Sequence, residues 1–273
     1  MTHRFASRLT LAFALFLLAS ITASPSSARA ETVTIAAANS LRDALRGLLP
    51  QFEAQHPNLE VRVIYGPSQT LRKQIEEGAP VDLYLPSLLD EIELLEQKGL
   101  VINGTKRIYG KTSLVLITQT GFPSPITSLA DLQTNPSQRI AVGNPKTSAV
   151  GKVAAQFLKS SGIEPKIKSH LLFGDHSRAV LDLVLTGEAD LGLVYRTDIA
   201  SESKVRILAN IPEGSHAPIQ YGVAMLWSVQ NPVAAENLIE FLASSPIQVQ
   251  LAQHGFEPVN SATRVVQAPS ASR

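Results

Sequence analysis

Thr32-Val33-Thr34-Ile35-Ala36-Ala37-Ala38-Asn39-Ser40-Leu41-Arg42-Asp43-Ala44-Leu45 sets two structural periods back to back. Residues 32–37 are β-branched and apolar, the composition of a buried strand. From Leu41, apolar residues recur at Ala44, Leu45, Leu48 and Phe52, the spacing of one helix face, and His56-Pro57 ends the run. Working outward, residues 59–65 alternate as a second strand. Leu71 and Ile75 begin a second helix closed by Gly78-Ala79-Pro80, residues 81–85 read as a third strand, and 88–98 as a third helix with Gly99 as its cap. Strand–helix–strand order predicts a mainly parallel sheet with helices on its faces.

A second alternating block follows the joining segment 109–113. Its strands are expected at 113–118, 140–142, 171–173 and 191–195, and its helices at 150–158 and 179–185. Strand patterns at 205–208 and 219–227 and helices at 233–243 and 247–253 finish the body, and the last helices need the first block as a packing partner. The expected fold class is therefore α/β, with two α/β lobes: residues 31–111 with 219–260, and residues 112–218. The chain would cross between them near 110–112 and again near 215–221, with a ligand cleft between the lobes. The Ser/Ala-rich tail 261–273 is expected to fray.

The first thirty residues read as a separate object. His3, Arg4 and Arg8 make a basic start, residues 9–23 are almost wholly apolar, Ser24-Pro25-Ser26-Ser27 breaks any helix, and Ala28-Arg29-Ala30 supplies small residues at a cleavage position. This is the pattern of a secretory signal peptide cut after Ala30, and it predicts a periplasmic protein. The chain has no cysteine, so neither disulfides nor a lipid-bearing cysteine is available. It carries 24 basic and 23 acidic residues, and cleavage would remove Arg4, Arg8 and Arg29 and no acid. A slightly acidic mature chain without a basic stripe points away from nucleic acid. A monomer is expected.

Four predicted strand-to-helix turns place small or hydroxyl residues where a helix begins: Ala38-Asn39-Ser40-Leu41, Gly66-Pro67-Ser68-Gln69, Lys146-Thr147-Ser148-Ala149-Val150-Gly151 and Gly174-Asp175-His176-Ser177. First-turn N–H groups have no partner within their helix and carry the positive end of its dipole, roughly half a charge. Four such ends would supply about two charges, enough to face a dianion without a lysine or arginine. A serine at any single helix start is ordinarily a cap; two such turns per lobe, in an exported chain, point instead to a shared anion site. Tyr195, at the end of a buried strand, can reach the same cleft. A site made only of donors suits a fully deprotonated tetrahedral dianion, whereas a protonated phosphate would require an acceptor.

The residues from 31 onward resemble the molybdate-binding proteins of ABC transporters over nearly their whole length. The resemblance is carried by residues 36–45, 68–83, Ile140-Ala141-Val142-Gly143-Asn144-Pro145, 186–198 and Gln253-His254-Gly255-Phe256. It implies a type II periplasmic-binding-protein fold, a membrane permease as partner, and molybdate or tungstate as ligand. It carries ligand roles onto Ser40 and Ser68 through hydroxyl and backbone N–H, onto Val150 and Ser177 through backbone N–H, and onto Tyr195 through its hydroxyl. Molybdenum would be held through the oxygens of its oxyanion by these same five residues, not by direct coordination, and no cofactor is implied. Three departures stand out. Asn39 intervenes before the first serine, the third turn lacks a proline-alanine-glycine run, and Ser177 stands where an aliphatic residue is common. Ser148, Ala149 and Val150 all remain candidates for the third-turn contact, and Ser177 can add a hydroxyl. Sulfate or a small organic solute is the alternative ligand class.

Enzymatic readings find little support. None of the six histidines forms an H-E-x-x-H pair, and there is no G-x-S-x-G elbow. Lys146 and Val153 spoil a phosphate-loop reading of the third turn. Asp175, His176 and Ser177 are catalytic residue types, but neighbours along a chain do not make a triad; His176 is expected on the surface of its turn. Asp43 and Asp175, near the turns, are each expected to face solvent or support a helix start, and an Asp175 carboxylate pointing inward would spoil a donor-only site.

Overall fold

The computed structural model describes residues 31–134 and 137–259. The expectations of a cleaved leader over 1–30 and a frayed tail over 261–273 lie outside the described residues. Ten strands form two five-stranded sheets among the described residues. The first half of the chain runs β1 (Glu31–Ala38), a 3-10 turn (Asn39–Leu41), α1 (Arg42–Gln55), β2 (Leu59–Gly66), α2 (Ser68–Glu76), β3 (Leu83–Leu85), α3 (Asp90–Gln97) and β4 (Arg107–Thr112). The second runs β5 (Leu114–Gln119), α4 (Asp131–Thr134), β6 (Ile140–Gly143), α5 (Ala149–Ser160), α6 (Glu164–Ile167), β7 (Leu171–Gly174), α7 (Ser177–Leu185), β8 (Leu191–Tyr195) and β9 (Val205–Asn210). β10 (Ile219–Met225), α8 (Pro232–Ala243) and α9 (Ser245–Gln253) close the body.

The sheet orders are β2-β1-β3-β10-β4 and β7-β6-β8-β5-β9. They correspond strand for strand: β1 or β6 has parallel neighbours on both sides, β10 or β5 then runs antiparallel to both of its neighbours, and the edge strand β4 or β9 runs with the parallel set again. Both sheets are thus mixed: four strands of each share one direction, as the sequence pattern predicted, and β10 or β5 runs against them. The parallel halves come from strand–helix–strand units. The antiparallel strands lie next to the chain's two crossings, where no covering helix sets strand direction. One crossing is Ser113, between β4 of the first sheet and β5 of the second; the other is the stretch 211–218, between β9 and β10.

Burial explains the elements. β1 is buried along Val33 and Ile35–Ala38, as a central strand covered on both faces must be. β2 alternates half-buried and exposed positions along the sheet edge. α5 buries Val150, Val153, Ala154, Phe157 and Leu158 on one stripe.

Glycine brings the second sheet's helices close to its strand ends. A Cβ on Gly151, in the first turn of α5, would lie 2.4 Å from the carbonyl carbon and oxygen of Gly143 at the end of β6. That contact is with backbone, which cannot swing aside, so only glycine lets the start of α5 sit against the strand.

Candidate functional site

In open α/β sheets, the crevice for a ligand lies beyond the strand carboxyl ends, where the connections on either side of a central strand diverge. Each sheet here has one such point, at β1 beside β3 and at β6 beside β8, and the two face each other across one cavity. The cavity between them is lined by Ala38, Asn39, Ser40, Gly66, Pro67 and Ser68 from the turns after β1 and β2. The turns after β6 and β7 contribute Ser148, Ala149, Val150, His176 and Ser177, and Ser87 and Tyr195 come from the ends of β3 and β8. Ser40, Ser68, Val150, Ser177 and Tyr195, scattered over more than 150 positions of sequence, are therefore brought together. Ser148 and Ala149 line the cavity with Val150, so all three third-turn candidates remain at the site. The space amounts to about 210 Å³, open solvent at its mouth included. The enclosed part is about 10 Å³, close to a single water-sized sphere and far below the roughly 300–1,000 Å³ of pockets for drug-sized ligands, so only a small ion suits it.

The hydroxyls are held by particular partners. Neither Ser40 nor Ser68 caps its helix. Tyr221 donates to Ser40 Oγ at 2.9 Å, which leaves the Ser40 proton free to point into the cavity. Ser68 Oγ accepts from the Ser87 N–H at 3.2 Å and lies 3.3 Å from Ser87 Oγ, while the Tyr84 hydroxyl fixes the Ser68 carbonyl at 2.7 Å. Ser148 is the one serine of the turns that acts as a cap, through a long 3.4 Å contact from the Gly151 N–H. Tyr195 differs from all of them: its hydroxyl is buried and completes no hydrogen bond, the Ser87 hydroxyl lying near it but outside hydrogen-bonding geometry. Burial, with Tyr221 adding, holds that phenol well above its ordinary range while the Ser87 hydroxyl works against the shift, so it remains a proton donor. A buried donor without an acceptor is costly, and it faces the place where an anion would sit.

Two expectations need correction. Ser177 lines the cavity, but its hydroxyl donates away from it, to Asp198 Oδ1 at 2.8 Å. His176 is half-buried in the lining rather than a plain surface residue, and its Nδ1 accepts the Ala179 N–H at 3.1 Å as the cap of α7. Burial chiefly, with Arg42, depresses the His176 pKa against the pull of Asp175 and Asp182, so the ring is neutral at pH 7. Asp175 is exposed and outside the lining. Ser87 and Asp198 were missed as functional residues. Ser87 was within reach of the turn argument, since Leu85-Pro86-Ser87 also passes from a strand toward a helix. Asp198 carried no local signal beyond its place in Tyr195-Arg196-Thr197-Asp198.

No lysine or arginine lines the cavity. The nearby cations span its rims instead. Lys152 of α5 pairs with Asp90 of α3, and Arg178 of α7 pairs with Asp43 of α1 at 3.3 Å. Each pair joins a helix packed on one sheet to a helix packed on the other, so the cleft is closed between two ionic ties. Behind the site, Tyr221 packs edge-on against Phe256 at 4.9 Å and against Tyr195 at 6.3 Å. This aromatic cluster lies beside the crossing at Ser113, where Arg196 donates its backbone N–H to the Ser113 carbonyl.

A cavity of neutral donors shared between two sheets can hold a small anion from both sides, and comparison with known proteins places the chain in a family. The chain belongs to the bacterial extracellular solute-binding proteins, whose family model matches residues 33–257. Among these proteins, the molybdate-binding protein ModA of Haemophilus influenzae is 30% identical over 227 residues, covering 82% of this chain and 89% of its own. A putative ABC transporter substrate-binding lipoprotein of Bacillus subtilis, YvgL, is 30% identical over 225 residues, covering 82% and 86%. A solved structure described as the substrate-binding domain of a putative molybdenum ABC transporter from Clostridium difficile superposes with a TM-score of 0.68. It is 31% identical and covers 84% of this chain and 99% of its own. The two-lobed fold expected from the sequence is thus the fold of this solute-binding family.

Proposed function

We propose that this solute-binding protein captures molybdate or tungstate outside the cytoplasm and delivers it to the permease of an ABC transporter, acting as a periplasmic monomer released from a cleaved leader and catalysing no reaction. The observation that carries the reading is the Tyr195 hydroxyl, buried and unpartnered at a small cavity where helix starts from both sheets converge. Ser40 and Ser68 donate from the first lobe. The backbone N–H groups of the α5 and α7 starts, at Val150 and Ser177, donate from the second, and Tyr195 completes the set. Each hydrogen bond to a charged group contributes about 1.5–3 kcal/mol, and several together offset the dehydration of a small dianion. The cavity volume disfavours an organic solute. The hydrogen bonds disfavour a hydrolase, because Ser177 is engaged by Asp198 and not by His176, whose Nδ1 is taken by Ala179.

Calorimetric titration with molybdate, tungstate, sulfate and phosphate tests the proposal. The expected result is one molybdate or tungstate per chain, bound more tightly than phosphate, with affinity reduced by roughly 1–3 kcal/mol in Ser40→Ala and in Ser68→Ala. Binding of none of the four anions would remove the reading.

A further inference from the structure

Ser40 and Ser177 occupy comparable turns of the two lobes, but their hydroxyls point in opposite senses. Ser40 Oγ accepts a hydrogen bond from the Tyr221 hydroxyl, so its own proton is available to the cavity. Ser177 donates its hydroxyl hydrogen bond to Asp198 Oδ1, so at the cavity it lines that hydroxyl can only accept. The other carboxylate oxygen, Oδ2, accepts the Tyr195 N–H at 3.0 Å, so Asp198 supports two lining residues at once. Asp198 is buried and outside the lining itself. An acceptor facing an anion is unfavourable, and one proton reverses it. If Asp198 takes a proton on Oδ1 from solvent, that O–H donates to Ser177 Oγ. The Ser177 O–H is then free to rotate and donate to the bound oxyanion. No covalent bond other than this O–H forms.

We propose that Asp198 is a positioning residue that couples oxyanion capture to uptake of one proton, by deciding whether the Ser177 hydroxyl accepts or donates at the cavity. The inference rests on reading the cavity as an oxyanion site. The surroundings favour it. Asp198 lines a second space, behind the site, with Asp43 and Arg46 of α1, Arg178 of α7, Glu202 after the 3-10 turn at Arg196–Asp198, and His254 after α9; Tyr221 of β10 faces it from the sheet. Arg178 pairs with Asp43, and among the described residues no ion pair reaches Asp198. Burial pushes its carboxyl up to about 7, against the hydrogen bonds from Ser177 and Tyr195 and the charge of Arg178, with Asp43 adding to the rise. A dianion two bonds of this relay away raises it further. His176, held below its ordinary range, stays neutral above pH 7 and does not supply the same signal before an anion arrives.

Calorimetry of molybdate binding at pH 8, in two buffers of different ionisation enthalpy, reads the coupling directly. Molybdate is fully deprotonated there, so any proton taken up belongs to the protein. The expected result is an uptake approaching one proton per anion, with affinity falling up to about tenfold per pH unit above neutrality. In Asp198→Asn the amide oxygen still accepts the Tyr195 N–H and the amide nitrogen donates to Ser177 Oγ. The uptake should vanish, and affinity at pH 8.5 should equal or exceed that of the parent protein. Molybdate binding to the parent protein without proton uptake overturns the inference and leaves the oxyanion site standing. Unchanged uptake in Asp198→Asn overturns it too. If that variant fails to fold in a melting scan, the parent measurement alone decides. Absence of binding by any oxyanion removes both readings.

Discussion

Replacing Tyr195 by phenylalanine separates an anion ligand from an ordinary core tyrosine, because the two roles predict effects of opposite sign. The ring is fixed by its packing on Tyr221, at 6.3 Å between centroids, so phenylalanine keeps the shape and deletes only the hydroxyl. In the free protein that hydroxyl is buried without a partner, and an unsatisfied buried polar group costs about 1–3 kcal/mol. Its removal should leave the melting temperature unchanged or raise it by a few degrees, since 1 kcal/mol shifts Tm by roughly 2–4 °C in a domain of this size. In the complex the same hydroxyl donates to a dianion, an interaction of about 1.5–3 kcal/mol, so Kd for molybdate should rise roughly ten- to hundredfold. Paired melting scans and calorimetric titrations measure both. A Tyr195→Phe protein that melts lower and binds molybdate with undiminished affinity would refute the reasoning, since it would mean that the hydroxyl serves the core and not the ligand.

Two further outcomes follow from the charges around the cavity. Lys152→Gln cuts the tie to Asp90 across one rim; because both side chains are partly exposed, affinity should weaken only a few-fold, about 0.2–1 kcal/mol, and the deficit should shrink with added salt in calorimetric titrations. Asp198 gives the ligand-free protein a pH dependence of its own. Its folded-state pKa is raised from 3.8 to about 7, so between those values the folded state holds a proton that the unfolded state has released. Stability from this group is therefore complete at acid pH and is lost as pH rises through the window, by up to about 1.4 kcal/mol per unit. Urea unfolding at pH 5 and pH 7 should show the decline in the parent protein and a flatter profile in Asp198→Asn.

The turn chemistry was legible in the sequence because it is local. A helix start needs its donors within a few residues, so the four turns could be chosen without knowing the fold; the family resemblance then singled out Ser40, Ser68, Val150 and Ser177 within them, and all line one cavity with Tyr195. What the sequence concealed depends on pairing at long range. The strand at Arg107–Thr112 has a glycine and two basic residues, and it exists because β10, over a hundred residues later, pairs with it. The one reversed strand in each mainly parallel sheet was concealed for the same reason: β5 and β10 take their directions from the crossings between sheets, which no helical period announces. Asp198 looked like one more acid after a strand. Its importance comes from sitting 21 positions from Ser177 and within 2.8 Å of its hydroxyl.

The placement of the cations bears on how such a site can release what it binds. A lysine in the lining would hold an anion in the open form as well as the closed one. Here the ordered donors are divided between the lobes, and each helix start offers only about half a charge, so the field of a dianion is matched only when the halves meet. Lys152 and Arg178 reinforce the meeting itself, since each is spent on an acid of the opposite lobe. Exposed pairs of this kind contribute about 0.2–1 kcal/mol each, less than a single hydrogen bond to the bound ion. On the proposed reading, the ties would bias the empty protein toward closure without locking it, and the ion would supply the larger share of the energy that keeps it shut. A permease that separates the lobes breaks both ties and half the donor set in one movement. The ion is then left facing too few donors to replace its hydration.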